Sequence, residues 1–160
     1  MTQILFHGST FKVMRPLANF GRKNLDFGPG FYLTPLRNQA ESWARRMRVI
    51  KKARAAYVNS YEFSMPEHCR VRTFAAYDAE WLDFMVKSRQ GLDPWRDYDI
   101  VEGGVADDRV IDSVEAYISG YADIETTLSK LIYHKPNLQI CILSQEVINR
   151  SLTFLSADIL

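Results

Sequence analysis

Three polar signals in this chain sit on or beside short apolar stretches. His7-Gly8-Ser9 follows Ile4-Leu5-Phe6, Tyr32 lies inside Phe31-Tyr32-Leu33, and Gln139 lies near the start of the alternating run Leu138 to Leu143. An imidazole can donate or accept a hydrogen bond near neutral pH. A phenol offers a flat apolar face with a polar tip, and a carboxamide donates and accepts without carrying charge. Taken singly, each has a bland reading: His7 as a satisfied strand-end histidine, Tyr32 as a core aromatic, Gln139 as a polar residue on an edge strand. Their chain order, and the turn that precedes Tyr32, make them worth reading together.

That turn is Leu25-Asp26-Phe27-Gly28-Pro29-Gly30. Two glycines around a proline bend the backbone sharply and strip side-chain bulk from both ends of the bend. A turn bared in this way can deliver the Tyr32 ring to a ligand as a flat surface. Thr34-Pro35 then reads as a helix start, a capping hydroxyl before a proline at the first helical position.

The elements that must position these groups follow from periodicity. A helix is predicted from Pro35 to about Arg54, with Leu36, Ala40, Trp43, Ala44, Met47 and Ile50 on one stripe and Arg45, Arg46, Arg48, Lys51 and Lys52 largely off it. Tyr57, Asn59, Tyr61 and Phe63 alternate as in a strand, and Val71 and Thr73 continue the β tendency. Ala79 to Arg89 is a second helix, stopped at Gly91. A strand from Asp97 to Val101 ends at Gly103-Gly104. Two helices follow, about Arg109 to Ser119 and about Asp123 to His134, divided by Gly120 and closed by Pro136. After the Gln139 strand come a short helix from Ser144 to Arg150 and a last strand from Leu152 to Leu155. The expected fold class is α+β, one domain over residues 1–160, with no regular βαβ rhythm that would build a Rossmann sheet.

Composition closes off several function classes. With 47% hydrophobic and 24% charged residues the chain is that of a folded protein. No apolar run reaches the roughly 18–20 residues of a membrane span, and no signal-peptide core opens the chain, so a cytoplasmic protein without a membrane partner is expected. Cys69 and Cys141 have no motif spacing and read as reduced thiols. His7, His68, His134 and the two cysteines are too scattered for a metal site. Gly28-Pro29-Gly30 lacks the final glycine of a dinucleotide loop and the Lys-Ser/Thr of a phosphate loop. The net charge of +1 conceals an asymmetry. Phe11 to Ala56 holds eleven Lys or Arg against Asp26 and Glu41, whereas Glu62 to Glu125 holds fifteen acidic residues against six basic. This division serves solubility and docking of the two halves, or else sets a basic wall beside a phosphate-bearing ligand or an acidic partner.

His-Gly-Ser after the first strand, Gly-x-Gly-x-Tyr-Leu-Thr, and a helix carrying Gln39-Ala40 and Trp43-Ala44 together resemble the ADP-ribosyltransferase superfamily, in its His–Tyr–Glu branch of diphtheria-type toxins and poly(ADP-ribose) polymerases. With Tyr98-Asp99-Ile100-Val101 and Ala106-Asp107-Asp108 the pattern is similar to small prokaryotic proteins of unassigned function. The resemblance implies a split β-sheet core of short strands with flanking helices, and NAD as substrate. It implies that His7 hydrogen-bonds a ribose hydroxyl, that the Gly8 backbone holds the nicotinamide amide, and that Tyr32 stacks on the nicotinamide ring with its hydroxyl left free. Ser9 and Gly30 fall in the same binding motifs. Trp43 takes about the place of a second aromatic wall, although it also reads as the core residue of its helix.

The departure is Gln139, where related transferases carry a glutamate that hydrogen-bonds the nicotinamide ribose. A glutamine keeps length and an acceptor but not the charge that favours an oxocarbenium-like transition state, a loss on the order of 10²–10³ in rate for one preorganised contact. The resemblance therefore implies transfer of ADP-ribose to a macromolecular acceptor, protein or nucleic acid, with Tyr32 clamping the leaving group, His7 fixing one ribose and Gln139 orienting the second. A toxin held by an antitoxin protein fits that pattern. The alternative is a pseudo-transferase that holds NAD or ADP-ribose without turnover. Glu146 is a possible stand-in charge on the helix after the strand. Asp107-Asp108-Arg109 reads as a helix cap or as a polar loop near the acceptor. Arg45, Arg46 and Arg48 could steer NAD phosphates or an acidic target; lacking interleaved exposed aromatics, they offer no evident platform for stacked bases.

Overall fold

Apolar alternation in the strands and small residues on one helix produce a layered α+β arrangement. The computed structural model describes residues 1–19 and 24–160, so Arg22 and Lys23 of the basic run lie outside the described residues. In chain order the elements are β1 (Thr2–Ser9), β2 (Phe31–Leu33), α1 (Arg37–Ile50), β3 (Tyr57–Ser64), β4 (Val71–Thr73), α2 (Ala79–Arg89), β5 (Ile100–Gly104), α3 (Ile111–Ile118), α4 (Ile124–Leu131), β6 (Leu138–Ile142), α5 (Gln145–Ser151) and β7 (Leu152–Ile159).

The strands form two sheets. One is β1-β3-β7, antiparallel throughout; the other is β2-β6-β5-β4, antiparallel except for the parallel pair β4–β5. Between them lies a core of Leu5, Tyr61 and Phe63 from the first sheet and Phe31, Leu33, Ile100, Ile140 and Ile142 from the second, closed by Val147 and Ile148 of α5. The other face of the second sheet, through Val101 and Cys141, packs on Trp81, Leu82 and Met85 of α2, Val114 of α3 and Leu131 of α4. Burying such side chains at roughly 25 cal/mol per Å² gives each layer its adhesion.

Helix α1 covers the outer face of the first sheet at very close range. A Cβ on Gly8 would lie 2.1 Å from the carbonyl oxygen of Ala40 and 3.0 Å from the Ala44 nitrogen. Only small residues fit where α1 crosses Gly8, which accounts for Ala40 and Ala44; Met47 is the third buried residue of α1. The stripe read from the sequence is corrected accordingly: Trp43 is 44% exposed and Ile50 is 61% exposed. The helix also begins later than expected. Its N-terminal cap is Leu36 with no side-chain bond, while Thr34 Oγ1 accepts from the Leu36 N–H and donates to the Leu138 carbonyl. Thr34 is a brace between β2, α1 and β6 rather than a helix cap.

Other boundaries follow local signals. Asp78, Asp123 and Ser144 cap α2, α4 and α5 by accepting from Trp81, Thr126 and Val147 N–H groups. Gly91 and Gly120, with φ +83° and +80°, end α2 and separate α3 from α4. The strand read from Asp97 starts only at Ile100, because Asp99 is occupied by Arg70. The strands β1 and β7 run longer than their apolar cores, because each pairs along its full length with β3.

Candidate functional site

Beyond their shared core, one isolated bridge among the described residues hydrogen-bonds the two sheets, Phe6 with Thr34, each N–H bonding to the other's carbonyl at 2.8 and 2.9 Å. Continuing that antiparallel register would set Gly8 opposite Tyr32. Instead the strands part. The His7 ring enters the opening, and Nδ1 lies 2.7 Å from the Tyr32 carbonyl oxygen. A carbonyl only accepts, so Nδ1 carries the proton and neutral His7 keeps Nε2 as an acceptor. Burial holds the imidazole pKa down, from 6.5 to about 4, against the opposing pull of the Tyr32 carbonyl. At neutral pH the ring is uncharged, packed 4.3 Å from the Phe31 ring between centroids, and no described residue bonds Nε2.

Gly8 shares this opening. Strand alternation points its N–H and C=O to the side on which Phe6 meets Thr34, away from β3. With the strands parted there, these two backbone groups line the gap. The reason for glycine is nonetheless different from the one read in the sequence: its missing side chain faces the α1 backbone, so helix packing demands it. Ser9 Oγ accepts from the Phe11 N–H and so holds the start of the next loop.

Tyr32 pairs with Cys141, which places both on the face toward α2. Gln139 is two residues along β6 on that same face, the diagonal neighbour of Tyr32. The Gln139 Nε2 donates to the Gly104 carbonyl at 3.5 Å, a long and weak contact. The Tyr32 hydroxyl is not free, which corrects the sequence reading: it donates to the Gly28 carbonyl at 2.6 Å and accepts from the Phe27 N–H at 3.1 Å. Burial first, then the neighbouring Cys141, raises its pKa well above the usual phenol value. The phenol is thus locked by the turn that precedes it and packs against the α2 layer, on the face of β2 opposite to Phe31 and the His7 ring that lies on it.

The glycines of that turn serve packing. Gly28, at φ +96°, would drive a Cβ into the Trp95 ring at 2.5 Å, and a Cβ on Gly30 would meet Cys141 Sγ at 2.4 Å. Gly30 therefore lets β2 approach β6. Two further residues hold this region, one of them with no signal in the sequence. Arg89 of α2 bonds Asp26 at 2.6 Å and anchors the turn. Buried Asn59 donates to the His7 and Phe11 carbonyls and accepts from the Val13 N–H, fixing the chain that leaves β1. For Asn59, a polar residue inside an otherwise aromatic alternation was the available hint.

Other expected participants are placed elsewhere. Glu146 is exposed on α5 and pairs with Arg150 of its own helix. Asp107 does not cap α3, whose cap is Val110. It bonds Arg109 and the Asn137 side chain, and although burial pushes its pKa up, those partners hold it below the usual carboxylate range. Arg45 pairs loosely with Glu41 at 3.7 Å on the exposed side of α1. Trp43 stands on α1 one turn after Gln39, whose Nε2 reaches the Leu138 carbonyl beside Gln139. Two surface hollows, of about 310 Å³ between α2 and α3 and about 340 Å³ beside Pro29 and Trp95, include none of His7, Tyr32 or Gln139. Among the described residues no cluster of three metal-ligating side chains occurs, and no helix is long and apolar enough to cross a membrane.

Residues 3–154 match the model of a family described as protein of unknown function DUF3990, and with nearly the whole chain matched, the chain belongs to that family. No curated protein and no solved structure matches it.

Proposed function

We propose that this DUF3990-family protein has an ADP-ribosyltransferase-like core, binds NAD where β1 and β2 part, and transfers ADP-ribose to a macromolecular acceptor. The observation that carries the reading is the contact of His7 Nδ1 with the Tyr32 carbonyl at the mouth of that opening. It brings the His7 ring onto the Tyr32 backbone and leaves Nε2 as a neutral acceptor with no partner among the described residues. A ribose hydroxyl is a suitable donor to it. The N–H and C=O of Gly8 are the complement of a carboxamide, which donates and accepts in the same way. The Tyr32 ring, fixed by Gly28 and Phe27, offers its face to nicotinamide, and exposed Trp43 supplies a second wall.

In this scheme the bond from nicotinamide to ribose C1′ breaks, and its electron pair leaves with neutral nicotinamide. The positive charge on the sugar is met by the acceptor's nucleophilic atom, which forms the new bond to C1′ and gives up its proton. Gln139 orients the ribose through its amide but brings no negative charge to the sugar. Asp107, which reaches Asn137 at the head of β6, is committed to Arg109 and is a poor base. Turnover is accordingly slow unless the acceptor or a partner protein supplies the base. The uncharged amide at 139 favours a second reading, a pseudo-transferase that holds NAD or ADP-ribose.

Incubation with NAD labelled in the adenylate half, with and without cell extract, tests the proposal. Transferred label accompanied by nicotinamide release supports the transferase. Saturable NAD binding without either supports the pseudo-transferase, and absence of binding removes both. A toxin paired with an antitoxin protein is part of the same proposal, and its expression alone is expected to arrest growth.

A further inference from the structure

The molecule leaves a carboxamide oxygen unpaired beside the proposed site. Gln39 lies in the first turn of α1, and its Oε1 is buried with no hydrogen-bond partner among the described residues. Its other end does little better, since Nε2 reaches the Leu138 carbonyl only at 3.4 Å, and that carbonyl already accepts from Thr34 Oγ1 at 2.9 Å. A buried acceptor with no donor destabilises the protein that carries it, so native chains rarely keep one without a use. Methionine or leucine would fill the same space without that penalty.

Position suggests the use. Leu138 is the residue before Gln139, and Trp43 is one turn further along α1 from Gln39. Gln39 therefore stands between the strand that carries the ribose-orienting amide and the exposed indole proposed as a wall. We infer that Gln39 is a ligand-contacting residue whose Oε1 accepts a hydrogen bond from a hydroxyl or amide N–H on the nicotinamide riboside half of the bound dinucleotide. The inference rests on the NAD reading of the site and extends it to a residue outside the three motif positions. The ligand's donor satisfies an acceptor that the empty protein leaves stranded. The adenosine half, carrying no group held by β6 in this scheme, is indifferent to Gln39.

The variant Gln39→Met tests this by calorimetry with NAD and with ADP, together with thermal denaturation of the ligand-free protein. Expected are an NAD affinity weaker by about fivefold, the size of one neutral hydrogen bond, an unchanged ADP affinity, and a Tm that stays level or rises by about 2–4 °C. Unchanged NAD affinity overturns the inference, as does an equal loss for ADP. A clear fall in Tm overturns it too, because the amide would then be part of the framework. If the wild-type protein binds no NAD, the reading of the site itself fails and the inference falls with it. If the wild type binds NAD and Gln39→Met binds it equally, only the inference about Gln39 is lost.

Discussion

A neutral His7 is the most consequential electrostatic feature of the site, and acid should expose it. The folded protein holds the imidazole at a pKa of about 4, against 6.5 for the free side chain. Between those values the unfolded chain binds a proton that the folded chain refuses, so stability rises with pH across the window. The contribution is fully present above pH 6.5 and is lost progressively as pH falls toward 4. At about 1.4 kcal/mol per unit the difference amounts to about 3 kcal/mol, a sizeable part of a typical 5–15 kcal/mol total. Carboxylates held low by their partners, Asp99 by Arg70 and Asp123 by the Thr126 N–H, also lose stability in acid, so the wild type alone does not isolate the effect. His7→Asn supplies the control, keeping an N–H for the Tyr32 carbonyl without a titrating group. Urea denaturation from pH 7.5 down to 4 should show the wild type losing about 3 kcal/mol more than the variant. Parallel pH profiles would refute the lowered imidazole pKa.

Further expectations concern single contacts. Gly8→Ala should lower stability by about 3 kcal/mol or more, because overpacking against a helix backbone has no flexible side chain to yield; a shift of under a degree in Tm would deny the close approach of α1. Trp43→Ala should leave Tm nearly unchanged while weakening NAD binding by about 1–3 kcal/mol, the range for a ring stacked on an aromatic base. The reverse pattern would return Trp43 to the core. Gln139→Glu should raise the rate of nicotinamide release on the order of 10²–10³. A variant that binds NAD and cleaves it no faster than the wild type would show that charge at this position is not what the site lacks.

Much of the framework was legible because local chemistry fixed it. The caps at Asp78, Asp123 and Ser144, and the glycines at 91 and 120, mark helix ends through the backbone groups they satisfy or the conformation they permit. The strands around Tyr61 and Ile140 were legible from alternation alone. What stayed hidden was set by elements distant in sequence. The closeness of α1 to β1 depends on Gly8 meeting Ala40 and Ala44, and this expels Trp43 from the core. The Tyr32 hydroxyl is occupied by the turn that bears it, an arrangement decided by the turn's exact path. Thr34 looked like a cap because its neighbours are those of a cap. Its bond to Leu138 depends on a strand over a hundred positions away in the chain. Around the proposed site, the proton position on His7 and the unpaired Gln39 amide required coordinates.

The central claim is that one dinucleotide meets His7, Tyr32 and Gln139 together, and a crystal structure with NAD soaked in measures it directly. The account predicts nicotinamide lying against the Tyr32 ring, a ribose hydroxyl within hydrogen-bond distance of His7 Nε2, and the Gln139 amide turned toward the sugar. NAD seated instead in the hollow beside Trp95, with the opening between β1 and β2 unchanged, would contradict it.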